Sequence, residues 1–282
     1  MANKEIKNHH YIRSFIFIII LLIALIIVYG MYIGNSGLIV KEYDISNKKI
    51  PSSFNDIKIA HFADILYDSK NDIDFFDNLV DKINSKDVDI IIFSGDLIKK
   101  NYKLEDDEIT SITTKLYNLN AKLGKYYVSG KNDKDNQKYD DIMKKAEFIS
   151  LNNSYDNIFS SKKEKIQIYG LNTSADPTYI TDAEKNNENT YKIVVFHESD
   201  KIEDLDLYGF DLALSSNSLN GQINIPVIKE FFIDDDSKNY YKPYYKLDNQ
   251  DFYITSGIGT KDIDFRLLNK PSFNIYTLKK IN

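Results

Sequence analysis

The sequence contains no cysteine and only four histidines, and both shortages limit the chemistry that this chain can perform. Without cysteine there is no disulfide, no thiolate ligand for a metal and no cysteine nucleophile. Two of the four histidines, His9 and His10, lie at the extreme N-terminus. A metal cluster built mainly from histidine ligands is therefore excluded.

The chain also lacks an excess of positive charge. Its 36 lysine and arginine residues are outnumbered by 42 aspartate and glutamate residues, and the formal net charge is −6. Domains that bind nucleic acids are normally strongly basic, so we expect no nucleic-acid partner. The 282 residues are enough for a membrane anchor and one folded domain.

One long stretch near the N-terminus carries no charge, from Ser14 to Ile33. Twenty helical residues span about 30 Å, the thickness of the hydrocarbon core of a bilayer. Basic residues precede the stretch, which predicts a cytoplasmic segment 1–13 and an extracytoplasmic domain at the cell membrane. A cleaved signal peptide is the alternative, but the stretch is long for one and is followed by a poor cleavage site. We therefore predict a retained transmembrane helix over 14–33 and a juxtamembrane connector over 34–50.

Beyond residue 51, short apolar runs alternate with segments of helical periodicity. The sequence predicts strands over 57–62, 90–94 and 125–128, with helices over 74–84 and 104–123 between them. The second half is richer in strands and contains two polar loops, 172–190 and 234–251. The order β-α-β-α-β predicts right-handed crossovers and a layered α/β domain.

Polar residues follow several of the predicted strands directly. Asp64 and Asp96 follow the first two strands, and Asn132, His197 and Asn217 follow later ones. Ligand sites in parallel sheets lie just beyond the carboxyl ends of the strands. Two strands that each deliver an aspartate to this edge can form a metal site of hard oxygen ligands. The alternative is that each aspartate only caps the turn that follows it.

The order and spacing of these five residues resemble those of the calcineurin-like metallophosphoesterases, in particular a membrane-anchored bacterial branch. The resemblance covers about 48–278 and implies a four-layer sandwich, two mixed β-sheets flanked by helices, over 51–282. In that family the motifs are D-x-H, G-D-x-x-D, G-N-H-D/E, a lone histidine after a strand, and G-H-x-H. They hold two metals bridged by the aspartate of the G-D motif, and a metal-bound hydroxide attacks phosphorus.

The first two motifs keep their aspartates in this sequence and lose their other metal-binding or acidic groups. Asp64 matches the first aspartate of the family, and Asp96 matches the bridging aspartate. Leu66 stands where the first motif has histidine, and Lys99 stands where the second has its outer aspartate.

The later motifs depart further from the family pattern. Lys131 stands at the metal-binding asparagine of the third motif, and Asn132 stands at the histidine that faces the phosphate. A shift of one residue would instead make Asn132 a metal ligand, and both alignments stay open. His197 matches the lone histidine, whereas Asn217 and Leu219 replace the two histidines of the last motif.

The resemblance thus implies a reduced metal site formed by Asp64, Asp96 and His197, with Asn132 or Asn217 adding an amide oxygen. Loss of the imidazole ligands leaves a weak site, so we expect no metal or one weakly bound Mn, Zn or Fe ion. An amide at Asn132 cannot give a proton to a leaving group. His197 itself is either a ligand or a hydrogen-bonded histidine at a strand end.

We therefore expect a catalytically impaired phosphoesterase fold that acts as a binding or scaffold module at the outer membrane surface. Its partner would be a phosphate-containing ligand or an envelope protein. The alternative is an active phosphoesterase with a reduced or one-metal site, and a third possibility is a structural subunit of an envelope complex. Because Asp64 and Asp96 would repel each other, we also predict that a lysine charge has replaced metal charge, at Lys131 or, second, at Lys99.

Overall fold

The molecule begins with a long helix that is exposed over residues 11–29 and contacts the folded domain only near its C-terminal end, within the described residues. This computed structural model describes residues 2–68, 73–134, 136–173, 177–180, 189–226, 228–248 and 250–281. Helix α1 covers Ala2–Val28. One turn of π-helix, Tyr29–Gly34, continues it. Residues Tyr11–Gly34 are long and apolar enough to cross a membrane, with a mean hydropathy of 3.1.

Two six-stranded mixed sheets form the centre of the domain. The first sheet contains β1 (Ile39–Asn47), β2 (Lys58–Phe62), β3 (Ile90–Phe93), β4 (Gly124–Tyr127), β5 (Ile149–Ser150) and β12 (Ser272–Lys280). Its order is β1-β12-β2-β3-β4-β5, and all neighbours run parallel except β12 and β2. Strands β2, β3 and β4 therefore end at the same edge.

The second sheet contains β6 (Ser154–Phe159), β7 (Lys165–Gly170), β8 (Lys192–Glu198), β9 (Leu212–Ser216), β10 (Tyr244–Leu247) and β11 (Gln250–Ile254). Its order is β10-β11-β9-β8-β7-β6. The four inner strands are parallel, and the two edge strands are antiparallel to their neighbours.

The core has three apolar layers, which the sheets and helices separate. Helices α2 (Ile73–Asn84), α3 (Asp106–Tyr117) and α4 (Gln137–Lys145) belong to the layer on the outer face of the first sheet. A second layer lies between the sheets. The third covers the outer face of the second sheet, beneath the 3-10 helix Ser199–Tyr208.

Strand β3 shows why the central run is wholly apolar. Its residues alternate between the faces of the sheet, so Ile91 and Phe93 join the helical layer while Ile90 and Ile92 join the layer between the sheets. All four residues are completely buried. The expected four-layer architecture of two mixed sheets flanked by helices is confirmed.

The structure differs from the sequence-based expectation at the N-terminal border of the domain. Strand β1 lies inside the segment 34–50 that was expected to be a connector, and it pairs in parallel with β12. Polar residues such as Lys41, Glu42 and Asp44 interrupt its apolar residues because it is an edge strand.

The helix expected over 104–123 is shorter, and it begins at a capping box formed by Glu105 and Glu108. Of the expected loop 172–190, residues 174–176 and 181–188 lie outside the described residues.

Candidate metal centre

Three ionisable side chains meet at the carboxyl ends of β2, β3 and β8. They are Asp64, Asp96 and His197, and their ligand atoms all lie within 4.8 Å of one another. Nε2 of His197 lies 3.3 Å from Oδ2 of Asp96 and 3.7 Å from Oδ1 of Asp64. All three are buried. The parallel strands thus bring together the residues that were expected at this edge.

The turns that present these side chains have an unusual backbone. Asp64, Leu66, Asp96, Asn217 and Leu219 all adopt left-handed conformations, with φ between 50° and 63°. For a leucine this conformation costs about 1–2 kcal/mol, so the surrounding structure must impose it. The two leucines therefore retain a backbone geometry that their own side chains do not favour.

Glycine is required where two of these turns meet. A Cβ on Gly95, whose φ is +100°, would lie 2.4 Å from the backbone nitrogen of Gly130. A Cβ on Gly130 would lie 2.3 Å from Oδ1 of Asp96. Larger residues would push the β3 and β4 turns apart, so both glycines serve the close packing of the site in addition to forming turns.

The imidazole of His197 is oriented by the backbone. Its Nδ1 lies 2.7 Å from the carbonyl oxygen of Ser94 and 2.9 Å from Oγ of Ser216. Because a carbonyl oxygen can only accept, Nδ1 carries a proton and Nε2 faces the aspartates. A metal-binding histidine is typically oriented by such a bond from its other nitrogen.

Two atoms of the centre lack a hydrogen-bond partner among the described residues. They are Oδ1 of Asp64 and Nε2 of His197, and both are buried. Buried polar atoms are normally paired, so two such atoms facing each other need a proton or a cation between them.

The charges of the three groups are strongly coupled. Burial opposes the charge of His197, but the carboxylates of Asp96 and Asp64 outweigh burial and raise its pKa to about 10. The pKa of Asp64 is raised to about 6, mainly because burial opposes its charge; His197 lowers this pKa and the neighbouring Asp96 raises it. Burial acts on Asp96 as well, yet His197 and the amides of Asn132 hold its pKa below its ordinary value. The charged imidazole therefore offsets one of the two carboxylate charges.

Asn132 lies beside the metal centre, and the groups that it directs toward Asp96 are hydrogen-bond donors. Its backbone N–H and its Nδ2 both donate to the carboxylate of Asp96, at 2.8 Å each. The next residue, Asp133, is buried and accepts from the backbone N–H groups of Asp96 at 2.6 Å, Leu97 at 3.0 Å and Gly130 at 2.9 Å. Asp133 was not among the expected site residues, although it ends the third motif.

Asn217 also reaches the centre, and a lysine occupies its amide oxygen. Its backbone N–H donates to Oδ2 of Asp64 at 3.3 Å, and its Nδ2 donates to Ser237 at 2.9 Å. Oδ1 of Asn217 accepts from Nζ of Lys261 at 2.8 Å, and Lys261 also bonds Asp234. The oxygen that was expected as a possible metal ligand is therefore already bonded to a cation.

The two lysines expected to neutralise the aspartates are placed elsewhere. Nζ of Lys131 donates to Asp236 at 2.5 Å, and its side chain is 58% exposed. Nζ of Lys99 bonds Asp68 at 3.1 Å and Asp264 at 3.4 Å. Both are long flexible side chains, and nearby loop carboxylates on the rim of the cleft compete for them.

Lys261 is the lysine whose charge acts on the centre, and sequence reasoning missed it. Its ammonium lowers the pKa of both Asp64 and Asp96. It directly follows the Gly257–Thr260 segment. A Cβ on Gly257 would lie 2.7 Å from Cβ of Asp64, so this segment packs tightly against the centre. That close contact could have directed attention to the cation that follows it.

The donor set suits one divalent cation and does not suit two. Asp64, Asp96 and His197 offer two carboxylates and one imidazole, a combination that transition metals accept. No second group of three such ligands occurs among the residues that the structure describes. The positions that could complete one carry Leu66, Leu219 and the lysine-bonded Asn217.

His61 lies in β2 next to the centre and is a buried, hydrogen-bonded core histidine. Its Nε2 lies 2.7 Å from Oγ of Ser94, and its Nδ1 lies 3.4 Å from the hydroxyl of Tyr276. Burial lowers the pKa of His61 to about 3. Both ring nitrogens of His61 therefore have partners within the core.

We expect His61 to make the domain sensitive to mild acid. Below pH 6.5 the unfolded chain binds a proton at this imidazole, whereas the folded chain resists it down to about pH 3. Its contribution to the free energy of unfolding should therefore fall by about 1.4 kcal/mol per pH unit in that window. Urea unfolding of the wild type and His61→Gln should show a stability difference that shrinks as the pH falls. A difference that stays constant with pH would contradict the buried neutral state.

Comparisons with known proteins agree with this architecture. Residues 57–256 match the family described as calcineurin-like phosphoesterase, whose members normally bind divalent metals. The chain is 25% identical to the metallophosphoesterase YkuE of Bacillus subtilis over 259 residues, 90% of each chain. It is 26% identical to the metallophosphoesterase Cj0846 of Campylobacter jejuni over 99% of this chain and 74% of that protein.

Among solved structures, the NAD nucleotidase of Haemophilus influenzae aligns with a TM-score of 0.48 and 14% identity, over 72% of this chain and 45% of that one. The family match extends over most of the domain, from β2 to the end of β11, and includes the turns that carry Asp64, Asp96 and His197. The chain therefore belongs to the calcineurin-like phosphoesterase family.

Proposed function

We propose that this protein is a membrane-anchored pseudo-phosphoesterase, a binding or scaffold module that keeps the family fold without efficient catalysis. One observation carries the proposal: the positions that would complete a two-metal site hold groups that cannot bind a metal. Leu66 and Leu219 have no donor atoms, and the oxygen of Asn217 is bonded to Lys261. Two-metal chemistry needs ligands on both ions, and only one set remains.

The remaining residues can still hold one ion. Asp64, Asp96 and His197 would bind a single Mn, Zn or Fe ion, which supplies positive charge to polarise a phosphoryl oxygen when it is bound. To bind it, His197 must lose the proton that Asp96 and Asp64 favour, which weakens binding at neutral pH. The amide of Asn132 can donate a hydrogen bond, but it cannot release a proton to a leaving group.

The cleft beside the centre fits a phosphate-containing ligand. Its volume is about 900 Å³, and Asp96 and Asn132 lie in its wall. Five lysines also line it, beside five acidic residues: Lys99, Lys100, Lys131, Lys134 and Lys261, with Asp96, Glu198, Asp234, Asp235 and Asp262. Ammonium groups bind phosphate oxygens as point charges, so a ligand can be held without being cleaved. The bound partner is a phosphate-containing molecule or an envelope protein that carries such a group.

Hydrolysis should be negligible. The full chain, purified in detergent, is assayed with Mn²⁺, Zn²⁺ or Fe²⁺ on bis(p-nitrophenyl) phosphate. We expect no metal-dependent turnover above that of the matched control Asp96→Asn, which lacks the shared carboxylate. Turnover that requires a metal and disappears in Asp96→Asn would refute the pseudoenzyme.

A one-metal phosphoesterase is the second candidate function. The unpaired Oδ1 of Asp64 and Nε2 of His197 favour it, because a bound cation would satisfy both atoms. Metal analysis of the same preparation separates the two candidates. One tightly held ion per chain that is lost in His197→Gln, together with turnover, would support the enzyme. Loss of the metal during dialysis without turnover supports the binding module.

The proposed location is the outer face of the cell membrane. The basic residues before the apolar stretch favour a cytoplasmic N-terminus. Protease added to intact protoplasts should therefore digest the chain from about Lys41 onward, and the digestion should not require lysis. A cytoplasmic protein serves as the control for intact protoplasts. A domain that is cut only after lysis would reverse the orientation.

A further inference from the structure

The end of the apolar helix packs directly on the domain. The carbonyl oxygen of Gly30 accepts a hydrogen bond of 3.1 Å from the backbone N–H of Arg266. A Cβ on Gly30 would lie 2.1 Å from the ring of Phe265, and one on Gly34 would lie 2.0 Å from the carbonyl oxygen of Arg266. Two buried glycines thus allow a contact that no larger residue would permit.

This contact places one loop of the domain at the level of the bilayer surface. The candidate membrane span ends at Gly34, so Gly30 lies within its last turns. Phe265 and Arg266 touch that part of the helix, and Ile263 is held beside them because Gln222 donates to the carbonyls of both Ile263 and Phe265 at 2.8 Å. If the helix spans a membrane, this loop reaches the interfacial region.

The domain exposes apolar side chains at the same place. We define the membrane-proximal face by Ile228, Phe231, Phe232, Ile263 and Leu268, all of which are exposed. Phe231 is 84% exposed, more than any other large apolar side chain among the residues whose exposure is described. Phe231, Phe232 and Ile263 line one cavity and are therefore neighbours. Clustered apolar exposure of this kind marks a surface that contacts a partner.

We propose that the membrane-proximal face lies in the interfacial region of the bilayer that holds α1. Phenylalanine and leucine side chains bind at this depth, and the face is continuous with the apolar helix through Phe265. Because its position is defined relative to α1, the proposal depends on the membrane anchoring proposed above.

The membrane-proximal face also lies close to the cleft beside the metal centre. The cavity behind it has a volume of about 260 Å³, and Asp234 and Lys261 line both this cavity and the cleft. Its lining includes both the exposed phenylalanines and the lysine that bonds Asn217. Lipid is the partner of this face.

The absence of cysteine makes the proposal testable in the full chain. Phe231→Cys and Ile263→Cys each carry one nitroxide spin label, in nanodiscs of phosphatidylcholine and phosphatidylglycerol. Phe159→Cys is the matched control, since Phe159 is 58% exposed on the edge strand β6 of the second sheet. Ile23→Cys reports the anchor itself. Accessibility to oxygen and to a water-soluble nickel chelate gives the depth of each label.

Labels at 231 and 263 should be at least about tenfold less accessible to the nickel chelate than the label at 159, with oxygen access increased. If labels at 231 and 263 are as accessible to the nickel chelate as the label at 159, while the label at 23 is buried in lipid, the proposed membrane contact of this face is refuted. The membrane anchoring by α1 would then still be supported. If the label at 23 is also water-accessible, both proposals fall. Protection at 231 that disappears when each nanodisc holds a single chain would identify a second copy as the partner and overturn the proposal. Leu268→Cys repeats the measurement if either variant fails to fold.

Discussion

Replacing Arg266 with methionine is expected to lower the free energy of unfolding by about 3–5 kcal/mol. The guanidinium is completely buried, and burial lowers its pKa to about 10. It donates to the carbonyl oxygens of Gly259 at 2.6 Å, Ser256 at 3.0 Å and Asn269 at 3.4 Å. Methionine fills similar volume but leaves these buried carbonyls without donors. Urea unfolding of the full chain in detergent, followed by circular dichroism, measures the loss.

The control for Arg266 is Lys122→Met, which removes an exposed lysine from surface pairs with Asp87 and Asp89. Such pairs contribute little, so we expect a change within about 0.5 kcal/mol. Arg266→Lys should lie between the two, because lysine retains the charge but not the planar set of donors. If Arg266→Met were as mild as the control, the loop from Ser256 to Asn269 would be held by other contacts.

Replacing Asp133 with asparagine is expected to cost about 2–4 kcal/mol and to loosen the centre. Its carboxylate accepts three backbone N–H groups, from the turns that carry Asp96 and Gly130. An asparagine turns an NH₂ group toward at least one of these donors and leaves it unpaired. The matched control is Asp141→Asn, on the exposed side of α4. Denaturant midpoints of both variants give the comparison.

Equal effects at positions 133 and 141 would show that the turns are held without the carboxylate. A second readout follows from geometry, since Asp133 fixes the backbone of a candidate ligand. Asp133→Asn should weaken any metal-dependent increase in thermal stability, whereas Asp141→Asn should not.

Strand ends were the most predictable part of this protein. Residues 90–93 are buried on both faces, so their apolar run indicates a central strand without ambiguity. Parallel neighbours must end at one edge, and Asp64, Asp96 and His197 meet there as expected. The edge strand β1 was not predictable, because polar residues interrupt the alternation of apolar residues that identifies a strand. Its partner, β12, also lies far away in the sequence.

The identity of the compensating lysine could not be predicted for a different reason. Lys131 stands at a ligand position in the sequence, yet its flexible stem lets the ammonium reach Asp236 in a distant loop. Lys261 acts on the centre because the aperiodic segment after Gly257 folds back onto Asp64. Periodicity describes helices and strands, and it contains no information about where such a loop will lie.

The pairing of β1 with β12 has a consequence for how this protein is made. Strand β12, the last to be synthesised, inserts between β1 and β2, the first two. The first sheet therefore cannot close until β12 has emerged, and pairing over such sequence separation slows folding. Until then β1 and β2 have unpaired edges facing the gap, and unpaired edges can associate with other chains. If α1 is inserted in a membrane, a nascent chain would wait in this open state beside the bilayer until β12 pairs with β1 and β2.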